Sequence, residues 1–418
     1  GRLLEDPNMW LIIGGTSAIA FYMAWSIGAN DVANSMATAV GAKAITFKQA
    51  VVIAGVLNLV GAVFVGSHVT DTVRKGIVDV DSAGLNNQIL LLGFVASLLA
   101  AALWVTLSTW KEMPISTTHS IIGSLMGFGL IAGGTQVVMW GKVGSVVASW
   151  VLSPVAGCIL AFLIFKIIVK SIFSKESPVE AAKIVGPIIF GFTAFLIVSS
   201  LFLKTSLSKN YGVSTNEGLV LATIAAIIVA LLGIVFLRKI QAKGPEDYAT
   251  VERIFRKLQV GTSMYVAFAH GANDVANAIG PVASIIPLAQ GLTIGSQVEV
   301  PIWLLSLGGL GIAIGCMTWG RRVMKTVGSR ITSLTNTRGF SVDFGAATTV
   351  LVCSKLGLPI STSHTVVGAV IGVGLARGLE AVDLSVIKKI VVSWVLTLPV
   401  AAGTCIGIYL LLKTIVGV

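Results

Sequence analysis

Eight residues occur twice in this chain, GANDVANS at 28–35 and GANDVANA at 271–278. Each copy sets an Asp, two Asn and a Gly in the middle of a long apolar stretch. A carboxylate at membrane depth is costly, so it has to face a partner or a watery cavity. Two of them, Asp31 and Asp274, at the same place in matching octapeptides, mark a site rather than an accident of packing.

The stretches around the octapeptides belong to a membrane protein. The chain is 55% hydrophobic and 11% charged, with a mean hydropathy of +0.93, whereas soluble domains carry about 25% charged residues. The fold class expected is therefore an all-α polytopic membrane protein, with the lipid bilayer as its surroundings. The net charge of +11 does not point to nucleic acid. The Lys and Arg cluster between apolar spans, as topology signals do, and no basic stripe interleaves with aromatic residues. Cys158, Cys316, Cys353 and Cys405 lie inside apolar segments without C-x-x-C spacing, and read as small core residues. The opening GRLLEDPN resembles neither the basic start of a signal peptide nor its cleavage site.

Taken in order, residues 1–169 form an N-terminal repeat. A transmembrane helix over 9–42 is predicted to break at the GAND tetrapeptide, because Gly28 frees the backbone while Asn30 and Asp31 favour caps and turns. The charged segment 68–87 reads as interfacial or extramembrane. A re-entrant helical hairpin follows over 89–132, its Ser/Thr tip at depth. Such backbone is tolerated only when buried in protein or lining a cavity. Residues 170–257 supply connecting spans and cytoplasmic loops, with the highly charged 238–257 as the boundary between halves. Then the pattern restarts in a C-terminal repeat, 258–418, with a second broken helix over 258–288 and a second hairpin over 344–377.

The duplication extends beyond the octapeptide. PISTTHSIIGSLMGFGL at 114–130 matches PISTSHTVVGAVIGVGL at 359–375, and WVLSP at 150–154 resembles WVLTLP at 394–399. The two motif pairs are 243 and 245 residues apart, so register holds across each half. This is a duplicated transporter-like architecture rather than a short solenoid period. With the N-terminus outside, twenty of the 29 Lys and Arg fall on the inner side and seven on the outer. That bias favours this orientation, with both termini extracytoplasmic. The first GANDVAN helix then runs inward and the second outward, which makes the repeats inverted.

In each GANDVAN copy, Asp and the Asn three residues later share a helix face. Asn30, Asp31 and Asn34, repeated as Asn273, Asp274 and Asn277, offer hard oxygen ligands suited to an alkali cation. The bland alternative is that they merely cap a resumed helix. In the P-I-S-T-[TS]-H tips, Pro114 and Pro359 suit a helix start. Ser116, Thr117 and Thr118, with Ser361, Thr362 and Ser363, place hydroxyls where the next half-helix exposes unpaired N–H groups, a ready anion site. The bland alternative is back-bonding to their own helix carbonyls. Two such tips meeting at the midplane would wrap one tetrahedral oxyanion. No Arg lies in the four motifs, so cations at the Asp positions are expected to balance the anion. His119 and His364 close the tips, as structural support or as carriers of a coupled proton. His68 and His270 receive no role, since Ile27 stands where a counterpart of His270 would be. The histidines have no metal-ligand spacing. The glycines at 123, 127 and 129, matched at 368, 372 and 374, are expected to let the outgoing arm pack closely on a neighbouring helix.

GANDVAN in each half, with PISTTH and PISTSH after it, resembles the inorganic phosphate transporter (PiT) family of sodium- or proton-coupled symporters, over nearly the whole chain. The resemblance implies import of inorganic phosphate by cation symport, with Na⁺ favoured as coupling ion and H⁺ as the alternative. It also implies an inverted-repeat fold, a homodimer, and a transport unit moving against a scaffold in the cell inner (plasma) membrane. By that match, Asn34, Ser116, Thr117, Thr118, Asn277, Ser361, Thr362 and Ser363 bind phosphate. Asn30, Asp31, Asn273 and Asp274 hold sodium. The short connector at 238–257 departs from many eukaryotic members, which carry a long cytoplasmic loop there. Rival readings are a symporter of another oxyanion such as sulfate, a passive anion channel, and a membrane enzyme on phosphate esters. The last would want a nucleophile–base pair with a third orienting partner, which the Ser116–His119 spacing does not supply.

Overall fold

The computed structural model describes residues 7–66, 69–70, 77–79, 84–289, 298–356, 358 and 360–418. His68, most of the expected interfacial segment, and Pro359 lie outside the described residues. The chain is helical: α1 (Pro7–Gly41), α2 (Phe47–Val65), α3 (Asn87–Trp110), α4 (Thr117–Gly133) and α5 (Trp140–Ile168) form the first half. The central elements are α6 (Pro178–Lys204), the short α7 (Leu207–Tyr211) and α8 (Thr215–Leu237). The second half holds α9 (Tyr248–Ala289), α10 (Ile302–Trp319), the short α11 (Arg321–Lys325), α12 (Asn336–Lys355), α13 (Thr362–Leu375) and α14 (Leu384–Val416). Among the described residues, eight helices are long and apolar enough to cross a membrane.

Both GANDVAN helices are continuous, contrary to the expected breaks. α1 runs 35 residues and α9 runs 42, through their octapeptides without interruption. Two physical reasons account for this. Asn30, Asp31, Asn34 and Asn277 find partners on other elements, described below, so they do not compete for their own backbone. The glycines serve close approach instead of a hinge. A Cβ on Gly28 would stand 2.0 Å from the Ile312 carbonyl oxygen of α10, and one on Gly271 would stand 2.1 Å from that of Asn58 in α2. The reciprocal glycines do the same, Gly315 against Trp25 of α1 and Gly61 against Phe268 of α9. Small residues bring these helix pairs to backbone contact, the usual packing device where lipid tails compete with apolar side chains.

That reciprocity runs through the fold. α1 packs on α10 as α9 packs on α2, α4 on α14 as α13 on α5, and α3 on α14 as α12 on α5. Exchanging the halves leaves the pattern unchanged. A two-residue antiparallel ladder joins β1 (Val69–Thr70), just after α2, to β2 (Val298–Glu299), just after α9. The ends of α2 and α9 therefore lie on one side of the molecule. Because α1 turns straight back into α2, α1 starts on the side where α9 ends. The Arg256 guanidinium, near the start of α9, donates to the Ala44 carbonyl just past the end of α1, at 2.8 Å. The GANDVAN helices thus run in opposite directions, as an inverted repeat requires.

The hairpins form as α3–α4 and α12–α13. The second starts earlier than expected, at Asn336 rather than 344, because Thr335 caps the helix by accepting the Arg338 N–H. The connector is also shorter than 238–257. α9 already begins at Tyr248, behind Asp247, which accepts from the Thr250 hydroxyl and from the Lys243 and Thr250 backbone N–H groups. Those bonds, the Thr250 hydroxyl first, hold the Asp247 carboxyl below its usual range. The outgoing arms pack through the expected glycines: Gly127 lies against Ala402 of α14, and Gly368 and Gly372 against Pro154 and Cys158 of α5. α6 and α8 pack mainly on each other. A second, smaller core (Ile172, Val179, Leu237, Phe255, Phe340) ties their one end to the start of α9.

If Gly28 is a contact point rather than a hinge, Gly28→Ala forces α1 and α10 apart and costs about 1–3 kcal/mol of stability, as overpacking does. Gly15→Ala, with nothing within 4 Å of the added methyl, is the matched control. Thermal melting in detergent is expected to fall for the first and hold or rise for the second. Equal melting temperatures refute the close-contact reading.

Candidate functional site

The two half-helices α4 and α13 bring their N-termini together. α4 runs alongside α14, with Trp394 Nε1 donating to the Pro114 carbonyl at 2.9 Å. α13 runs alongside α5, with the Ser361 N–H donating to Ser153 Oγ at 2.8 Å. Since α5 doubles back after α4, the two tips point at each other. The His119 and His364 rings meet edge to face, their centroids 5.2 Å apart. His364 also stacks on Trp394, and His119 Nε2 contacts Ser149 Oγ at 3.3 Å. Ser116 and Ser361 cap their half-helices, each hydroxyl accepting the backbone N–H of the tip histidine.

The octapeptides dock on these tips. Asp31 is 3% exposed, and its Oδ2 accepts from Thr117 Oγ1 at 2.9 Å. Asn34 donates to Ser363 Oγ at 3.0 Å, and Asn277 donates to Thr118 Oγ1 at 3.2 Å. Each repeat's Asn thus reaches the other repeat's tip, at corresponding positions. Asn30 anchors the first hairpin: its amide donates to Thr109 Oγ1 and the Met113 carbonyl, and its Oδ1 accepts the Ile115 N–H at 3.2 Å. A cation at Asn30 would share an oxygen already bonded.

Asp31, Asn34, Asp274, and the six tip residues Ser116, Thr117, Thr118, Ser361, Thr362 and Ser363 all line one polar cavity. Asn273, Asp274, Asn34 and Thr362 also line an adjoining cavity, with His270 and Asp343. The structure therefore gathers the residues of all four motifs around one region. Asn277 and Thr118 close it through their bond.

His270, given no role from sequence, sits at the centre. Its Nε2 lies 3.2 Å from Asp31 Oδ2 and 3.0 Å from Asp274 Oδ2, and its Nδ1 lies 2.6 Å from Asn58 Oδ1. Asn58 gives its own amide hydrogens to the Ala54 carbonyl, so its oxygen faces the ring. Both ring nitrogens meet oxygen acceptors, which is the bonding of an imidazolium. His270 thus brings both aspartates a basic partner from outside the octapeptide. The signal was present: His270 precedes Asp274 by four residues, one helical turn on the same face. Ligand atoms of Asp31, His270 and Asp274 lie within 4.8 Å of one another, a spacing a cation can bridge. Carboxylate oxygens are hard donors of the kind alkali cations take, and an imidazole can carry a proton.

Other groups were not legible from motif spacing. Asp343, one residue before the hairpin expected at 344, is buried and accepts from Thr38 Oγ1 at 2.8 and 3.0 Å. Lys142, from the start of α5, lines the tip cavity, and Lys204, from the end of α6, lines both cavities.

Asp31→Asn and Asp274→Asn each remove a negative charge beside His270 while keeping the side chain's shape. Removing one partner of a buried ion pair costs stability, but in each variant the other carboxylate still faces the His270 ring. Each is expected to abolish cation-driven uptake with an unchanged gel-filtration profile. Gradient-driven uptake at the wild-type rate in both variants refutes a cation role for the pair.

The sequence profile described as "Phosphate transporter family" matches residues 27–405. A protein of Thermococcus kodakarensis named as a phosphate permease is 52% identical over 397 residues, covering 95% of this chain and 96% of that relative. The chloroplastic inorganic phosphate transporter 2-1 of Arabidopsis thaliana is 40% identical over 417 residues, covering 94% of this chain and 70% of that relative. A solved structure described as "The sodium-dependent phosphate transporter" superposes with a TM-score of 0.85 at 45% identity, covering 97% of this chain and all of that one. With the tip-to-tip half-helices and both GANDVAN motifs lining one cavity, the chain is a multi-pass membrane protein of the phosphate transporter family, a transporter and not an enzyme.

Proposed function

We propose that this chain imports inorganic phosphate across the cell membrane by cation symport, with Na⁺ as the favoured coupling ion and H⁺ as the alternative. One observation carries the reading: two half-helix N-termini and two Asp/Asn motifs line a single polar cavity. Helix N-termini with hydroxyls favour an oxyanion, and carboxylates beside them favour a cation. A cation held at Asp31 and Asp274 lowers the cost of placing phosphate between the tips, and by linkage phosphate tightens the cation. The similar solved structure is described as sodium-dependent, which supports Na⁺ here.

The hydroxyls divide the work. Thr117 donates to Asp31, so it links the tip to the cation side. Thr362 lines both cavities and is assigned to phosphate. The cavity is bordered by Lys142 and Lys204, at the end of the molecule where α5 starts and α6 stops. The positive-inside count puts that end outside, with both termini.

Phosphate uptake into proteoliposomes, with a Na⁺ gradient and a pH gradient imposed separately, tests the reading. Uptake is expected to follow the Na⁺ gradient. Uptake driven by the pH gradient alone makes H⁺ the coupling ion, passive flux makes the protein a channel, and stronger competition by sulfate than by phosphate changes the substrate. A hydrogen bond to a charged ligand contributes roughly 1.5–3 kcal/mol. Thr362→Ala is therefore expected to weaken phosphate affinity about 10- to 150-fold with Na⁺ affinity intact, whereas Thr117→Ala changes both. Wild-type phosphate affinity in Thr362→Ala moves the anion away from the second tip.

Orientation is tested apart from transport. Cysteines introduced singly at Ser177, before α6, and Ser208, within α7, are expected to label from opposite faces of the membrane, Ser208 from outside. Labelling of both from one face overturns the assigned topology.

A further inference from the structure

The duplicated motifs build the cradle from carboxylates, amides, hydroxyls and helix ends, with His270 engaged between Asp31 and Asp274. None of these brings to the cavity a positive charge from outside the cluster of Asp31, His270 and Asp274. Lys204 does. It ends α6, a helix that belongs to neither repeat, and its side chain lines both cavities. Its Nζ donates to Ser354 Oγ at 3.0 Å, near the end of α12, which holds the stem over the site. An ammonium has three N–H donors, so two remain. Lys142 lines the tip cavity as well, but it is exposed to solvent, where a charge is screened. Lys204 is half-buried, and its charge acts at greater strength.

We propose that Lys204 is an anion-recognition residue, whose ammonium pairs with the oxyanion held between the hairpin tips and sets the affinity for it. The proposal rests on the phosphate-symport reading and adds a charge from outside the repeats. It also carries a sign. Lys204 shares its cavity with Asp274, so its charge opposes a cation there while the anion is absent. When the anion arrives, it offsets that charge, and the cation is then bound more favourably. Removing the charge must therefore move the two ligands in opposite directions. A purely structural role, acting through Ser354, would not.

Equilibrium binding to the purified full-length protein separates the two. Radiolabelled inorganic phosphate is titrated at fixed Na⁺, and radiolabelled Na⁺ is titrated without phosphate. Lys204→Gln keeps a donor for Ser354 and removes the charge. It is expected to weaken phosphate binding about tenfold while Na⁺ binding without phosphate is tightened. Lys204→Arg keeps the charge and is expected to retain most of the phosphate affinity. Ser354→Ala, which removes only the tether's acceptor, is expected to cause a smaller loss than Lys204→Gln. Unchanged phosphate affinity in Lys204→Gln overturns the proposal. So does a parallel loss of phosphate and Na⁺ binding, or a Ser354→Ala variant that reproduces the whole loss. Wild-type protein that binds no phosphate removes the underlying reading, and this proposal with it.

Discussion

A carboxylate enclosed by apolar helices calls for donors, and Asp31 takes two at Oδ2, from two other elements, while its Oδ1 is buried without a hydrogen-bond partner. Thr117 comes from the tip of the first hairpin and His270 from the opposite GANDVAN helix. Each donor is fixed in turn: Thr117 by its place in the first turn of α4, His270 by Asn58 and Asp274. Leaving a buried polar group unpaired costs about 1–3 kcal/mol, and more for a charge. The requirement to pair Asp31 therefore locates a hairpin tip, a helix crossing and a second motif at one point. The cavity follows from that convergence.

The exchange of halves supplies the rest. Asn34 reaches the second tip and Asn277 the first, so neither repeat completes the site alone. The site is nonetheless asymmetric where charge matters. His270 has Ile27 as its counterpart, and Lys204 comes from α6, between the two halves that carry the motifs. Duplication builds a cradle with two equivalent walls, and unpaired residues decide how its charge is distributed.

Continuity of α1 and α9 is what makes the crossing precise enough for this. A break at GAND, as expected from the Gly, Asn and Asp composition, would have left backbone carbonyls without helical partners. The glycines instead seat one helix on the carbonyls of another, Gly28 on Ile312 and Gly271 on Asn58. Asn58 thereby holds two places at once, its backbone beneath Gly271 and its side chain against His270. Close packing and site geometry are the same contact seen from two sides.

The sequence by itself determined the membrane class, the duplication and the positions of the four motifs along the chain. Apolar length, repeated register and polar interruptions are local properties, readable along the chain. It did not determine that the helices stay whole, because a Gly in an apolar run permits a break or a close contact equally, and only the neighbouring backbone decides which. Nor did it reveal what His270, Asn58, Asp343 and Lys204 touch. A histidine, an amide, a carboxylate or a lysine at a helix end has no repeat to mark it. Their partners lie far away in sequence, 239 residues in the case of His270 and Asp31. What a charge pairs with is set by distance in space, and that is the one quantity linear order withholds.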